Sequence, residues 1–150
     1  MRVMYMINNG KYLHNIFVSC IDLHVEVPVV PFKQLSQMKP GESSNAIRER
    51  VIKARQIQEH RYANDKGIYC NAQMTERMLH QYAEPDDASL DMLRLAMERL
   101  SLSARAYSRI LKVARTIADL EGTEHIQSHH IAEAIGYRSL DRGDWAERGG

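Results

Sequence analysis

The chain has 150 residues, 44% of them apolar, and 20 Lys and Arg stand against 19 Asp and Glu for a formal net charge of +1. That length supports one buried core but is short for two, and the balanced charge excludes a global pull toward nucleic acid or membrane, so any anion binding must be local. Two cysteines, Cys20 and Cys70, are too few and too far apart for a zinc knuckle or a disulfide scaffold. No apolar run reaches the roughly 18 residues of a membrane helix, and the N-terminus lacks a secretion signal, so a reduced, cytoplasmic protein with no membrane partner is expected.

Residues 1–15 hold no sustained period and contain the turn signal Asn8-Asn9-Gly10, which predicts a loosely packed segment. Ile21, Leu23, Val25 and Val27 then alternate with Asp22, His24 and Glu26, the period of a half-buried strand that Pro28 and Pro31 end. With only residues 16–19 or 5–7 as weak partners, this reads as an orphan strand whose sheet lies elsewhere.

A connector over 32–43 contains Pro40-Gly41, and helical periodicity follows it. Ser43 or Ser44 is expected to cap a helix running to about Arg61, with Ile47, Val51, Ala54 and Ile57 inward and an ion pair from Glu49 to Lys53 outward. After a loop over 64–71, Thr75 caps a short helix to about Tyr82. Pro85-Asp86-Asp87 then starts another helix, with Leu90, Leu93, Met97 and Leu100 on one face and the two acids favourable at its positive end. Ser101 or Ser103 caps the next helix, Gly122 stops it, and Ser128 caps a last one through Ile131, Ala134 and Ile135. Residues 138–150 are polar and aperiodic, a disordered tail. The expected fold is mainly α: a bundle of about five helices preceded by one orphan β-strand and flanked by poorly ordered tails.

The helix within LSLSARAYSRILKVARTIADLEG, residues 100–122, carries the most information. At 100° per residue, Arg105, Arg109, Lys112 and Arg115 fall within about 120° of one another, and apolar residues fill the rest. Tyr107, Ile110, Ala114 and Ile117 are expected at the centre of the core, where each large aliphatic contributes roughly 1.5 to 3 kcal/mol. The basic ridge fits phosphates, carboxylates of a neighbouring subunit, or only water. Composition does not choose among these.

Seven histidines raise the question of a metal. His125, His129 and His130 cluster at the start of the last helix, but adjacent histidines point about 100° apart and no Cys or carboxylate completes a tetrahedral set at usual spacing, so no metal site is expected and the three read as exposed polar residues. There is no nucleophile elbow and no HExxH, and no GxxxxGK[ST] to cradle a triphosphate, so no catalytic residue is assigned.

Several motifs together, DLHVEVP, GESS, IRERV, ARxxQ and above all RLSLSARAYSRILKVARTIADLEG, resemble the C-terminal region of the ComM/YifB-type, magnesium-chelatase-like AAA+ ATPases over about residues 21–137. The resemblance implies a helical lid behind the last strand of an ATPase core, which accounts for the orphan strand. It divides the chain into an unmatched leader (1–20), the last strand of a truncated core (21–31), the lid (44–137) and a disordered tail (138–150). In the family, an SxR motif at a helix start supplies a sensor-2 arginine that reaches ATP phosphates, and Ser103-Ala104-Arg105 match it. Arg105 is therefore the nucleotide-sensing candidate.

Arg109, Lys112 and Arg115 remain candidates for anion or interface contacts and otherwise form a solvated face. ATP and Mg belong to the intact parent, whose ring is expected to be hexameric and linked to DNA branch migration in natural transformation. Ser19-Cys20 stand where the family has an Asp-Arg pair whose Arg resembles an arginine finger, and the Walker A and Walker B strands have no counterpart here. The expected function is a non-catalytic lid fragment, with no cofactor of its own, partnered by the AAA+ core. The alternatives are a small module holding DNA backbone on Arg105, Arg109, Lys112 and Arg115, or a docking subunit that regulates a full-length ring. Without a phosphate, Arg105 would pair with Glu98 or near Asp119.

Overall fold

A computed structural model describes residues 3–7, 21–27 and 41–138 of the chain. Two strands, β1 (Val3–Ile7) and β2 (Leu23–Val27), precede five helices: α1 (Ser44–Arg61), α2 (Glu76–Tyr82), α3 (Asp87–Arg99), α4 (Ala104–Glu121) and α5 (Ser128–Gly136). A single 3-10 turn, Asn71–Gln73, lies between α1 and α2. The helical bundle is as expected, and Ser43, Thr75, Asp86 and Ser103 each accept a backbone N–H from the first turn of the helix that follows. At α5 the cap is Gln127 rather than Ser128, which is instead the first helical residue.

The expected orphan strand has a partner. β1 runs parallel to β2 in register Val3↔Leu23 through Ile7↔Val27. The sequence VMYMI is apolar throughout and shows no period-2 alternation, so only its last three residues stood out as a weak partner. Most of the leader, residues 28–40 with Pro28 and Pro31, Ser19-Cys20 and the tail beyond Arg138 lie outside the described residues.

β2 is fastened to the bundle at three points. Its His24 N–H donates to the Tyr137 carbonyl at 2.9 Å just after α5, Arg138 donates to the Ile21 carbonyl, and Arg109 of α4 meets the Asp22 carboxylate at 3.3 Å. Arg138, assigned by sequence to the disordered tail, is buried.

α4 is the axis of the bundle. Ile110, Leu111, Val113, Ala114, Ile117 and Ala118 are buried on it, against Leu79 of α2, Leu93 of α3 and Ile131 and Ala134 of α5. Tyr107 sits at the margin of this core rather than its centre. On α1 only Ala54 and Gln58 are buried, and Ile47 and Val51 are 42% and 43% exposed. Their spacing is that of one helix face, but the described residues do not cover that face at the first turns of α1. Leu90 is likewise exposed on α3. The pair expected from Glu49 to Lys53 is replaced by Arg50, which is bidentate to Glu42 at 2.7 and 2.9 Å.

Beneath α1 lies a buried polar knot. Asp119, with its side chain fully buried, accepts from Arg61 Nη1 at 2.8 Å, from Arg115 Nε at 3.1 Å and from Asn71 Nδ2 at 2.8 Å. Asn71 Oδ1 in turn accepts from the Tyr62 hydroxyl at 2.7 Å and from Arg61 at 2.9 Å, and the Asn71 backbone N–H donates to Gln58. Burial lowers the pKa of the Arg115 guanidinium, and the Asp119 carboxylate beside it favours the charged form.

Removing Asp119 leaves two guanidinium groups in the interior without their carboxylate, so Asp119→Ala should lower the unfolding free energy by about 3–5 kcal/mol in urea titration. Burial pushes the Tyr62 hydroxyl up to about 12 from a usual value of 10. The folded state therefore holds this proton more tightly than the unfolded chain, and the associated stability is complete below pH 10 and is lost as pH rises toward 12. Tyrosinate absorbance should show a last titration step that Tyr62→Phe removes.

Candidate functional site

The four cations of α4 do not form a uniform ridge. Arg115 is 3% exposed, and besides Asp119 it donates to the Thr123 carbonyl at 2.6 Å and to the Glu124 carbonyl, tying α4 to the loop before α5. Lys112 donates to the Ala72 carbonyl at 3.2 Å, and Arg109 pairs with Asp22 and also approaches the Ile21 carbonyl at 3.4 Å. The solvated face expected for these three is corrected: each neutralises or caps an acceptor that the fold brings to α4. Arg105 remains exposed, with neither Glu98 nor Asp119 as a partner among the described residues.

Local geometry presents Arg105 at the second position of α4. α3 ends in a Schellman turn, in which the Leu102 N–H returns to the Met97 carbonyl at 3.0 Å and the Ser101 N–H to the Glu98 carbonyl at 3.4 Å. Ser101 takes the left-handed conformation this turn requires, with φ 49°. Two residues later Ser103 Oγ accepts from the Ala106 N–H at 3.3 Å, so the serine of Ser103-Ala104-Arg105 is the cap and the arginine points from the first turn. A cation there opposes the positive end of the helix dipole, which favours an external anion as its partner. Arg105 is one turn ahead of Arg109 on the same face, and Arg109 is held against the start of β2. The exposed guanidinium is therefore on the side of the bundle that carries the sheet.

Residues 41–138 match the family described as magnesium chelatase, subunit ChlI C-terminal. The chain belongs to that family. It is 41% identical over 136 residues to the competence protein ComM of Haemophilus influenzae, covering 88% of this chain and 26% of that protein. Over the same length it is 38% identical to YifB of Salmonella typhimurium and 35% identical to YifB of Escherichia coli. The chain is thus similar to the C-terminal domain of ComM/YifB-type proteins and spans about a quarter of the length of these relatives, 26% in each case. The family match takes in all five helices and the Ser103-Ala104-Arg105 turn.

A second group of side chains meets where α4 gives way to α5. Glu121, the last residue of α4, accepts on Oε2 from His129 Nε2 at 3.0 Å and from His130 Nε2 at 2.9 Å. The two imidazoles lie 3.9 Å apart between centroids, and the hydrogen bonds from His129 and then His130 hold the Glu121 carboxyl below its usual range. His130 is fully buried, not an exposed residue at a helix start, and its Nδ1 accepts the Gln127 N–H at 2.9 Å to cap α5. The carboxylate that sequence spacing did not supply is Glu121. Gly122, at φ 74°, turns the chain back and lets Glu121 meet residues eight and nine positions after it. A left-handed Gly followed by a helix start was the available signal. The described residues hold no helix long and apolar enough to cross a membrane.

Ser101→Gly should relieve the left-handed strain before α4 and raise stability by about 1 kcal/mol, read as a higher urea midpoint with an unchanged slope.

Proposed function

We propose that this chain is the helical lid of a magnesium-chelatase-like AAA+ ATPase and that Arg105 is its nucleotide-sensing residue. The observation that carries this reading is the exposed Arg105 guanidinium in the first turn of α4, set by the Ser103 cap and one turn from the Arg109 contact to β2. Guanidinium geometry matches phosphate oxygens, and a side chain at the edge of the helical domain can reach a nucleotide held by a neighbouring core. Of the four cations of α4, Arg105 alone is exposed, and the engagement of the other three argues against a four-cation ridge laid along DNA.

In this reading the lid performs no hydrolysis by itself. Its partner is the AAA+ core of the intact protein, which holds ATP and Mg and assembles as a ring, hexameric by family resemblance. Closure of the lid brings Arg105 onto the phosphates, where its charge offsets the negative charge of the transferring group. DNA is engaged through the assembled ATPase, not through α4. The parallel pair β1 and β2 supports the same reading, because parallel strands are ordinarily covered on both faces and two strands are too few for an independent sheet.

The decisive experiment places alanine at the position equivalent to Arg105 in the full-length ComM of Haemophilus influenzae. A charge-assisted hydrogen bond to phosphate is worth about 1.5–3 kcal/mol, so ATP turnover should fall about 10- to 100-fold while thermal unfolding stays unchanged. An unchanged rate removes the sensor role. The purified 150-residue chain should show no ATPase activity; turnover that Arg105→Ala abolishes would overturn the assignment as a non-catalytic lid.

A further inference from the structure

We propose that the corner between α4 and α5 is a binding site for a divalent transition-metal ion of the zinc class, with Glu121, His129 and His130 as ligands. The three candidate ligand atoms, Glu121 Oε2, His129 Nε2 and His130 Nε2, all lie within 4.8 Å of one another. Zinc bonds to nitrogen and oxygen are about 2.0–2.2 Å, so tetrahedral ligand atoms sit about 3.3 Å apart. The hydrogen-bonded separations of 3.0 and 2.9 Å are a few tenths shorter, and small side-chain rotations open them to admit an ion. Two imidazoles and one carboxylate form a set that suits zinc and its neighbours better than magnesium or calcium, which prefer all-oxygen cages. The set is also accessible. Side chains of Glu121 and His129 are 42% and 54% exposed, which leaves an entry path and room for water as a fourth ligand.

The site is built rather than incidental. The left-handed Gly122 fixes the reversal, Arg115 grips the carbonyls of Thr123 and Glu124 within the same loop, and His130 is fully buried, its Nδ1 accepting the Gln127 N–H in the metal-free form. This last contact gives the proposal a distinctive consequence. A neutral imidazole has one donor and one acceptor nitrogen, so while Nδ1 accepts the Gln127 N–H the ring proton resides on Nε2 and is donated to Glu121. An ion can bind Nε2 only after that proton leaves. The proton returns to the ring at Nδ1, which then no longer accepts from Gln127. Loading therefore exchanges the α5 cap for a metal link between the end of α4 and the start of α5.

The test uses the whole chain, titrated with Zn²⁺ in competition with a chromophoric chelator and followed by amide NMR. One ion should bind per chain, excess Mg²⁺ should not compete, and the Gln127 amide should exchange faster with solvent in the loaded form. Glu121→Gln and His129→Ala, at exposed positions that leave the core untouched, should each weaken binding by about tenfold or more, while His125→Ala, an exposed histidine outside the group, should not. Absence of binding overturns the proposal. So does binding that survives Glu121→Gln and His129→Ala, or loading that leaves the Gln127 amide protected.

Discussion

The Asp119 carboxylate is the contact on which the arrangement of this domain depends. It sits at the inner face of α4 and is the common acceptor for Arg61 at the end of α1, Arg115 one turn back on α4, and Asn71 in the 3-10 turn. Burying an ionised carboxylate is costly, and so is burying a guanidinium; each is tolerated here because the other is present and the remaining polar atoms are satisfied by Asn71, Tyr62 and backbone carbonyls. An apolar contact would have held α1 against α4 in several registers. A bidentate pair with directional partners holds it in one.

From that knot the geometry extends in two directions. Arg115 reaches the Thr123 and Glu124 carbonyls, which sets the path of the loop and so the start of α5. Toward the other end of α4, Lys112 and Arg109 fasten the turn before α2 and the start of β2, leaving Arg105 in the first turn with no acceptor of its own among the described residues. The cation with no internal partner among the described residues is also the one carried by the Ser103-Ala104-Arg105 turn. A graded series, from buried through half-buried to exposed, replaces four equivalent charges, and it separates residues that hold the domain together from the one available to an external anion.

Much of this fold was readable from local chemistry. Helix starts at Ser43, Thr75, Asp86 and Ser103 were legible because a capping oxygen acts over three residues, and the stop at Gly122 because a left-handed C-terminal turn favours glycine. The apolar stripe of α4 marked Ile110, Ala114 and Ile117 as core, since period 3.6 gathers them on one face. Misreadings fell where a residue's surroundings come from distant parts of the chain. Ile47 and Val51 have inward spacing, yet the described residues leave them exposed, and VMYMI carries no alternation because parallel strands need none.

The sequence by itself determined the helical class, most of the helix boundaries and the family, and it singled out Arg105 as a candidate, because each rests on short-range periodicity, capping or a contiguous motif. Tertiary structure alone decided which cations are consumed, that Asp119 is the hub, and that Glu121 meets His129 and His130. Charge pairing in the interior depends on which groups are brought within about 3 Å across separations of eight to nearly sixty residues, and no spacing rule along the chain carries that distance.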